Sequence, residues 1–163
     1  MVSSLNKFVD NSKIQEITVQ CHESELNCIA ISYDGKIFAT ASKKGTLIRL
    51  FETATGKKIK ELRRGADSVS ILSIAFSTSS RLLACTSDKG TVHIFNISDE
   101  AHNTKSALNF MGKLGMGYFK SEWSFAQLRI SDSVSYCGFG PEDNILVGKK
   151  ISSYYHERRL LLC

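Results

Sequence analysis

The fold is decided by a stretch that occurs twice in the chain. Residues 26–51 read LNCIAISYDGKIFATASKKGTLIRLF, and residues 71–95 repeat the pattern as ILSIAFSTSSRLLACTSDKGTVHIF. Equivalent residues lie 45 positions apart, as Lys44-Gly45-Thr46 and Lys89-Gly90-Thr91 show, until one residue is lost before the final aromatic residue. A repeat of about 40–45 residues is typical of the blades of a β-propeller. We therefore expect an all-β chain.

Each copy divides into short apolar or alternating segments that are separated by turn-forming residues. Glycines end the turns at Gly35, Gly45, Gly56 and Gly90, where a tight hairpin needs a positive φ. With a single proline and no long helical periodicity, little helix is expected. The predicted strands are Leu26–Ser32, Ile37–Ser42, Thr46–Phe51, Lys58–Leu62, Ile71–Phe76, Leu82–Thr86 and Thr91–Phe95, with an outer strand of a preceding blade at Lys13–Gln20 and a third unit at Val134–Gly140 and Asn144–Val147.

The composition is that of an ordinary globular protein with a basic balance. The chain has 163 residues, 42% hydrophobic and 23% charged, and a net charge of +5 that favours anionic partners without choosing among them. Five scattered cysteines without a C-x-x-C pair predict reduced thiols in an intracellular protein. The pair Cys21-His22 has no second pair at ligand spacing, so no metal site is expected. The first residues include no apolar core segment, so no signal peptide is expected, and no apolar run of about 18 residues occurs in the sequence.

A basic pair lies where the first repeat ends, in Glu61-Leu62-Arg63-Arg64-Gly65. Neighbouring side chains of a strand point to opposite sides, so Arg63 and Arg64 would serve two separate pockets. Guanidinium groups bind phosphate oxygens with two parallel hydrogen bonds, and the pair therefore suggests two sites for anionic ligands. The alternative is a solvated surface pair with no ligand.

A long insertion at Asn96–Glu122 interrupts the second repeat before a strand resumes from Trp123 to about Ile130. Loops of this length in a compact domain are usually functional or disordered. Its middle mixes apolar side chains with lysines and glycines, as an interfacial membrane anchor does. A loop folded back over its own blade is the other interpretation. The tail after Val147 shows no clear pair of blade strands.

With these motifs in view, the chain resembles the PROPPIN family, the WIPI-type seven-bladed propellers, and is most similar to the subgroup of human WIPI three and four. The L/F-R-R-G signature is the hallmark of that family. The residues that carry the resemblance are His22, Leu26, Cys28-Ile29-Ala30, Ala39-Thr40-Ala41-Ser42, Lys44-Gly45-Thr46-Leu47-Ile48-Arg49, Glu61-Leu62-Arg63-Arg64-Gly65, Ser87-Asp88, Gly90-Thr91-Val92-His93-Ile94-Phe95, Tyr118-Phe119, Ser121 and Trp123-Ser124-Phe125.

The resemblance implies two phosphoinositide-binding pockets on the propeller rim. The first would lie between the outer edges of the two repeats and use Arg63, with Thr40, Ser42, Thr46 and Arg49 around it and His22 as a further contributor. The second would use Arg64 with Ser87, Thr91 and His93. The insertion falls where the family carries a membrane-inserting loop, and its inserting side chains would be Leu108, Phe110, Met111, Leu114, Met116, Tyr118 and Phe119.

The resemblance also implies a peripheral membrane scaffold of autophagy rather than an enzyme. Its ligands would be membranes containing phosphatidylinositol 3-phosphate and phosphatidylinositol 3,5-bisphosphate, and its partners autophagy scaffold and lipid-transfer proteins, with no cofactor and no nucleic acid. The expected location is cytoplasmic, peripheral at preautophagosomal and endosomal or vacuolar membranes. A different hypothesis is a WD-repeat interaction module that binds acidic peptides or RNA.

The expected organisation is a partial, open WD-repeat-like propeller with about three of seven blades. Residues 1–25 would form a tail and the outer strand of a preceding blade, 26–65 a blade that ends in the basic pair, 66–130 a blade that carries the insertion at 96–122, and 131–163 an incomplete last blade. A ring of seven blades needs about 300 residues, so we expect a truncated, alternatively spliced or mis-assembled product. The surface for the lipid-transfer partner, which the resemblance assigns to earlier blades, would then be absent.

Overall fold

The computed structural model describes residues 8–10, 13–98, 104–105, 121–130, 135–149 and 161–162. Within them the chain is strand and turn, with a single 3-10 turn at Pro141–Asp143, so the predicted all-β fold is confirmed. Among these residues the structure has no helix that is long and apolar enough to cross a membrane. The strands are β1 Phe8–Asp10, β2 Lys13–Gln15, β3 Leu26–Ile31, β4 Ile37–Ser42, β5 Leu47–Glu52, β6 Lys58–Arg63, β7 Ile71–Phe76, β8 Leu82–Ser87, β9 Thr91–Asn96, β10 Thr104–Lys105, β11 Glu122–Trp123, β12 Ala126–Arg129, β13 Ser135–Phe139, β14 Ile145–Lys149 and β15 Leu161–Leu162.

Each of the two repeats forms its own sheet of consecutive antiparallel strands. The first sheet contains β3, β4, β5 and β6 in that spatial order, and the short strands β11 and β10 extend it beyond β6. The second sheet contains β7, β8 and β9, and β12 pairs with β9 as its outer strand. A third sheet of β13, β14 and β15 follows, and β1 and β2 form a separate hairpin. The repeats are therefore two blade-like sheets of the same topology.

The main core lies between the first and the second sheet. Alternation along the strands gives the first sheet an apolar face, and Ile48 and Leu62 on that face are fully buried. The second sheet presents Leu83 and Phe95, which are also fully buried, to the same cluster. Burying a side chain of this size contributes about 1.5–3 kcal/mol, so these contacts hold the two sheets face to face, as neighbouring blades are held.

The third sheet joins the second through hydrogen bonds between their strands. Ser73 Oγ donates to the carbonyl oxygen of Cys137 at 3.0 Å, and the Cys137 amide donates back to Ser73 Oγ at 3.3 Å. Thr86 Oγ1 donates to the carbonyl oxygen of Ser135 at 2.7 Å. Three successive sheets thus pack in chain order.

The strand predicted from Trp123 to Ile130 is divided between two sheets. Glu122–Trp123 pairs with β6 of the first sheet in parallel orientation, whereas Ala126–Arg129 pairs with β9 of the second sheet. The prediction of one continuous strand is therefore wrong. The break occurs because the chain crosses from one sheet to the next as it returns from the insertion.

Two predictions at the chain's ends also need correction. The predicted outer strand Lys13–Gln20 is a strand only at Lys13–Gln15, and it pairs with Phe8–Asp10 rather than with a blade. The tail was expected to lack blade strands, yet Leu161–Leu162 pairs with β14. These are local pairings of two or three residues.

Candidate functional site

The two arginines at the end of the first repeat lie on different sides of their sheet. Leu62 is fully buried against the second sheet, so Arg63, the next strand residue, lies on the opposite face. Arg64 follows the end of the strand, and its amide donates to the carbonyl oxygen of Thr46 at 3.0 Å. Arg63 is only 5% exposed and Arg64 only 8%. The interpretation of a solvated surface pair is therefore wrong.

Residues of the predicted first pocket share the face of Arg63. The two cross-strand partners Thr40 and Arg49 lie there, since Ala39 and Ile48 take the opposite face. His22 Nε2 lies 3.0 Å from Thr40 Oγ1 and 3.2 Å from the Thr40 carbonyl oxygen. These contacts form a polar cluster of hydroxyl, imidazole and guanidinium groups beside β6.

The segment before β3 closes this cluster from outside. Arg49 Nη1 donates to the carbonyl oxygen of Cys21 at 2.7 Å, and Cys21 packs with Phe38 and Phe51. The residues predicted for the first pocket therefore lie between the first sheet and the segment that ends at His22. The expected position of this pocket between the outer edges of the two repeats is wrong, because that side of the sheet is occupied by the apolar core.

Glu61 belongs to the same polar cluster, although the sequence did not predict it there. It lies on the face of Arg63, two positions earlier on the strand, and its Oε2 accepts from Arg49 Nε at 2.9 Å. Its other oxygen accepts from Ser121 Oγ at 2.8 Å. Burial favours a higher pKa for Glu61, but the hydrogen bonds from Ser121 and Arg49 and the nearby positive charges outweigh it and lower the pKa. The carboxylate thus stays ionised and balances the charge of Arg49.

The surroundings of His22 favour its neutral form. Burial lowers its pKa, and the charge of Arg49 lowers it further, although the hydrogen bond with Thr40 opposes the shift. A neutral imidazole has one donor and one acceptor nitrogen. His22 therefore contributes hydrogen bonds rather than charge to the first pocket.

A cleft of about 390 Å³ opens on the same side of the first sheet. Residues 18–21 form one wall, and Arg49, Gly56 and Lys58 contribute to the other. Lys58 is about half exposed. The cleft gives an anion access to Arg49 from a basic rim, but it does not extend to Arg63.

Arg64 points away from this cluster and toward the second sheet. Its Nε donates to the carbonyl oxygen of Gly45 at 3.1 Å, and its Nη2 donates to the carbonyl oxygen of Asp67. These bonds use two of the five guanidinium donors. Burial lowers the pKa of Arg64, but an arginine remains charged at any working pH. Its charge also lowers the pKa of His93, which places the two groups in one electrostatic environment.

Residues of the predicted second pocket share the face that the second sheet turns to Arg64. Cross-strand pairing puts Cys85 opposite His93, and alternation puts Ser87 and Thr91 on the same side. Burial, and next the charge of Arg64, lower the pKa of His93 to about 4. His93 Nδ1 lies 3.1 Å from Ser124 Oγ. The structure therefore brings this predicted set together.

Three predicted residues, Ser42, Thr46 and Ser87, lie at the turn before β5 or at the equivalent turn before β9. The carbonyl oxygen of Thr46 accepts from the amides of Arg64 and Gly65, at 3.0 and 3.5 Å. Ser42 and Ser87 are buried and accept, through their carbonyl oxygens, from the amides of the following turn glycines. These residues support the loops that surround the two arginines.

The return from the insertion contacts both pockets. Ser121 binds Glu61, and Ser124 binds His93, only three residues later. Between them, the side chain of Glu122 lies 3.4 Å from Lys60 Nζ in a pair that is mostly buried. The sequence offered one signal for this segment, the Trp-Ser-Phe motif, but not its contacts. The side chains predicted to enter the membrane, residues 108–119, lie outside the described residues.

The described part of the chain has no group of three or more histidine, cysteine or acidic side chains that could hold a metal ion. Its four cysteines are free thiols. Burial raises the pKa of the Cys21 and Cys28 thiols. Burial also raises the pKa of Cys137, to about 11.

Comparison with known proteins gives a consistent result. The family model for PROPPIN matches residues 3–134. The chain is 34% identical over 133 residues to autophagy-related protein 18e of Arabidopsis thaliana, which covers 79% of this chain and 36% of that protein. It is 38% identical over 136 residues to SVP1-like protein 2 of Pichia angusta, with 77% and 38% covered. The chain thus spans less than half the length of these relatives.

Solved structures support the same assignment. Hsv2 of Kluyveromyces lactis, in a structure with its complete loop 6CD, superposes with a TM-score of 0.64 at 31% identity, over 83% of this chain and 42% of that one. The WD40 repeats of RRP9 superpose with a TM-score of 0.55 at 14% identity, which shows the propeller fold alone. The family match covers most of the chain, and its sheets are those of a partial propeller. The chain belongs to the PROPPIN family.

Proposed function

We propose that this chain binds phosphoinositide membranes peripherally, through two headgroup pockets built around Arg63 and Arg64. One observation carries the proposal: Arg63 lies on the face of the first sheet that carries Thr40 and Arg49, whereas Arg64, just after the strand, points toward the second sheet and acts electrostatically on His93. Membership of the PROPPIN family supports the phosphoinositide class of ligand.

The chemistry of each cluster suits a phosphate monoester. Arginine supplies charge and a planar pair of donors, and neutral histidine and hydroxyl groups add hydrogen bonds without repelling a cation. In the first pocket Glu61 pairs with Arg49, and Arg63 supplies the guanidinium group that would bind the phosphate. In the second pocket Arg64 makes two hydrogen bonds to backbone oxygens of the described residues, and three of its five donors are not used by them.

Two modest sites on one edge would act together on a membrane. When one headgroup is bound, the second binds at a high effective concentration, so the overall affinity exceeds that of either site. The insertion at 96–122 would add a shallow hydrophobic contact, with its lysines at anionic headgroups. The proposed ligands are phosphatidylinositol 3-phosphate and phosphatidylinositol 3,5-bisphosphate.

The names of the relatives support a role in autophagy. The proposal includes a scaffold role at preautophagosomal and endosomal or vacuolar membranes. Because the chain spans only part of each relative, its partners among autophagy scaffold and lipid-transfer proteins belong to this proposal.

Liposome flotation tests the proposal. The full chain is mixed with three kinds of phosphatidylcholine vesicle at matched surface charge. The first contains phosphatidylinositol 3-phosphate, the second phosphatidylinositol 3,5-bisphosphate and the third phosphatidylserine. We expect flotation with the phosphoinositides only, reduced by Arg63→Thr or Arg64→Thr and abolished by the double variant. The control is Arg81→Thr, which removes one positive charge from an exposed position away from both pockets.

Three outcomes would contradict the proposal. Equal flotation of the double variant and the Arg81→Thr control would show that the basic pair does not recognise the headgroup. Flotation that follows surface charge alone would reduce the interaction to nonspecific attraction. Binding of the chain to an acidic peptide or RNA without binding to phosphoinositide would favour the interaction module instead.

A further inference from the structure

His93 in the second pocket has one ring nitrogen engaged by a chain of hydrogen bonds. Its Nδ1 lies 3.1 Å from Ser124 Oγ, and Gln127 Nε2 donates to the same oxygen at 3.1 Å. Within the described residues, no group forms a hydrogen bond with the other ring nitrogen, Nε2. Ser124 and His93 are both buried.

The direction of these bonds follows from which atoms carry hydrogen. An amide NH2 only donates, so Ser124 Oγ accepts from Gln127 and keeps its own proton for another partner. If His93 Nδ1 also donated to Ser124, that hydroxyl proton would have no acceptor among the described residues. A buried unsatisfied donor costs about 1–3 kcal/mol. The arrangement therefore favours donation from Ser124 to Nδ1, which leaves the imidazole proton on Nε2.

We propose that Gln127 and Ser124 are positioning residues that hold His93 in the Nε2–H tautomer, so that the second pocket presents a neutral donor together with Arg64 to a phosphate monoester. This inference rests on the proposed function of that pocket. The depressed pKa of His93, about 4, agrees with a neutral ring near physiological pH. The phosphate could belong to a lipid headgroup or be free inorganic phosphate, because a single N–H donor recognises both.

Nitrogen-15 NMR of the full chain tests the tautomer directly. In His93, the long-range couplings between the carbon-bound ring protons and the two ring nitrogens identify which nitrogen carries a proton. We expect Nε2–H in the free protein and a change at Nε2 when dibutanoyl phosphatidylinositol 3-phosphate is added. A parallel titration with inorganic phosphate distinguishes the two sources. If both ligands change the Nε2 signal at similar concentrations, the pocket recognises free phosphate as well as the headgroup; if only the lipid does so, it recognises the headgroup.

Variants separate positioning from folding. Ser124→Ala should shift His93 toward the Nδ1–H tautomer and weaken binding of the soluble lipid about fivefold, the equivalent of one hydrogen bond. Ser124→Thr keeps the hydroxyl and should restore both. Thr78→Ala is the matched control, since the exposed Thr78 lies in the turn between β7 and β8 and its Oγ1 donates to Asp143.

The outcomes distinguish a failure of the proposed phosphoinositide binding from a failure of the tautomer inference. If the wild type binds no phosphoinositide, the proposed function fails, whatever the tautomer. If the wild type binds but His93 carries its proton on Nδ1, the inference is wrong. It is also wrong if Ser124→Ala binds as tightly as Thr78→Ala. The wild-type tautomer needs no variant, so a variant that does not fold leaves the test intact.

Discussion

Replacing Glu61 by glutamine removes one charge from the centre of the first pocket and changes little else. Glutamine has the same shape, so its carbonyl oxygen still accepts from Arg49 Nε and its NH2 group faces Ser121 Oγ. The substitution removes the negative charge that balances Arg49, whose side chain is only 24% exposed. The perturbation therefore isolates an electrostatic contribution.

Two considerations set the size of the expected loss. Hydrogen bonds to charged groups contribute about 1.5–3 kcal/mol, and breaking a fully buried pair costs about 3–5 kcal/mol. Because Arg49 keeps some contact with solvent and glutamine keeps the hydrogen bonds, we expect about 2 kcal/mol. For a chain of this length each kcal/mol lowers Tm by about 2–4 °C, so the fall in Tm should be about 4–8 °C.

The loss should also depend on pH. The folded pKa of Glu61 lies below its ordinary value of 4.5, so its stabilising contribution is complete above that value and disappears as the pH falls through the folded pKa. The difference in free energy of unfolding between wild type and Glu61→Gln should therefore be constant near neutrality. It should narrow below about pH 4.5.

Urea unfolding followed by the fluorescence of Trp123, the single tryptophan, measures both effects. The matched control is Glu25→Gln, because Glu25 forms an exposed pair with Lys43 and such pairs contribute little. If Glu61→Gln is no less stable than Glu25→Gln at pH 7, the reasoning about the first pocket is refuted. A difference that persists unchanged at pH 3 would refute the assignment to Glu61 ionisation.

Two further predictions concern the turn at Gly45 and the core. Gly45→Ala should destabilise the chain far more than Gly35→Ala in the same unfolding assay: both positions have positive φ, but only at Gly45 does an added Cβ meet the carbonyl oxygen of Val69, at 2.0 Å. An equal loss at the two glycines would contradict this. Cys85, fully buried with its pKa raised by burial, should resist alkylation in the native protein and react only after unfolding; isotope-coded mass spectrometry that finds it labelled in native buffer would show that the core opens.

The sequence predicted the sheets well because its repeat is long and its turns carry glycines. Ile37–Ser42 and Ile71–Phe76 match the observed strands at both ends. Strand alternation also predicted different directions for Arg63 and Arg64, although Arg64 lies just beyond the strand and is held by its bonds to Gly45 and Asp67. These are local properties that the order of residues determines.

The wrong or missing predictions concern which segments of the chain cover each face of the first two sheets. Sequence alternation groups Thr40 with Arg49, but it does not reveal that the segment ending at His22 covers that face. Glu61 was read only as part of a motif, because a carboxylate beside two arginines has no distinctive pattern. Ser121 and Ser124 reach the pockets through a parallel pairing of β11 with β6 that depends on tertiary structure.

The most direct test of the central claim is the number of headgroups that one chain binds. Isothermal titration of the full chain with inositol 1,3-bisphosphate, the soluble headgroup of phosphatidylinositol 3-phosphate, should give two sites for the wild type and for Arg81→Thr. It should give one site for Arg63→Thr and one for Arg64→Thr. A single site in the wild type, or loss of all binding in either single variant, would contradict two independent pockets served by one arginine pair.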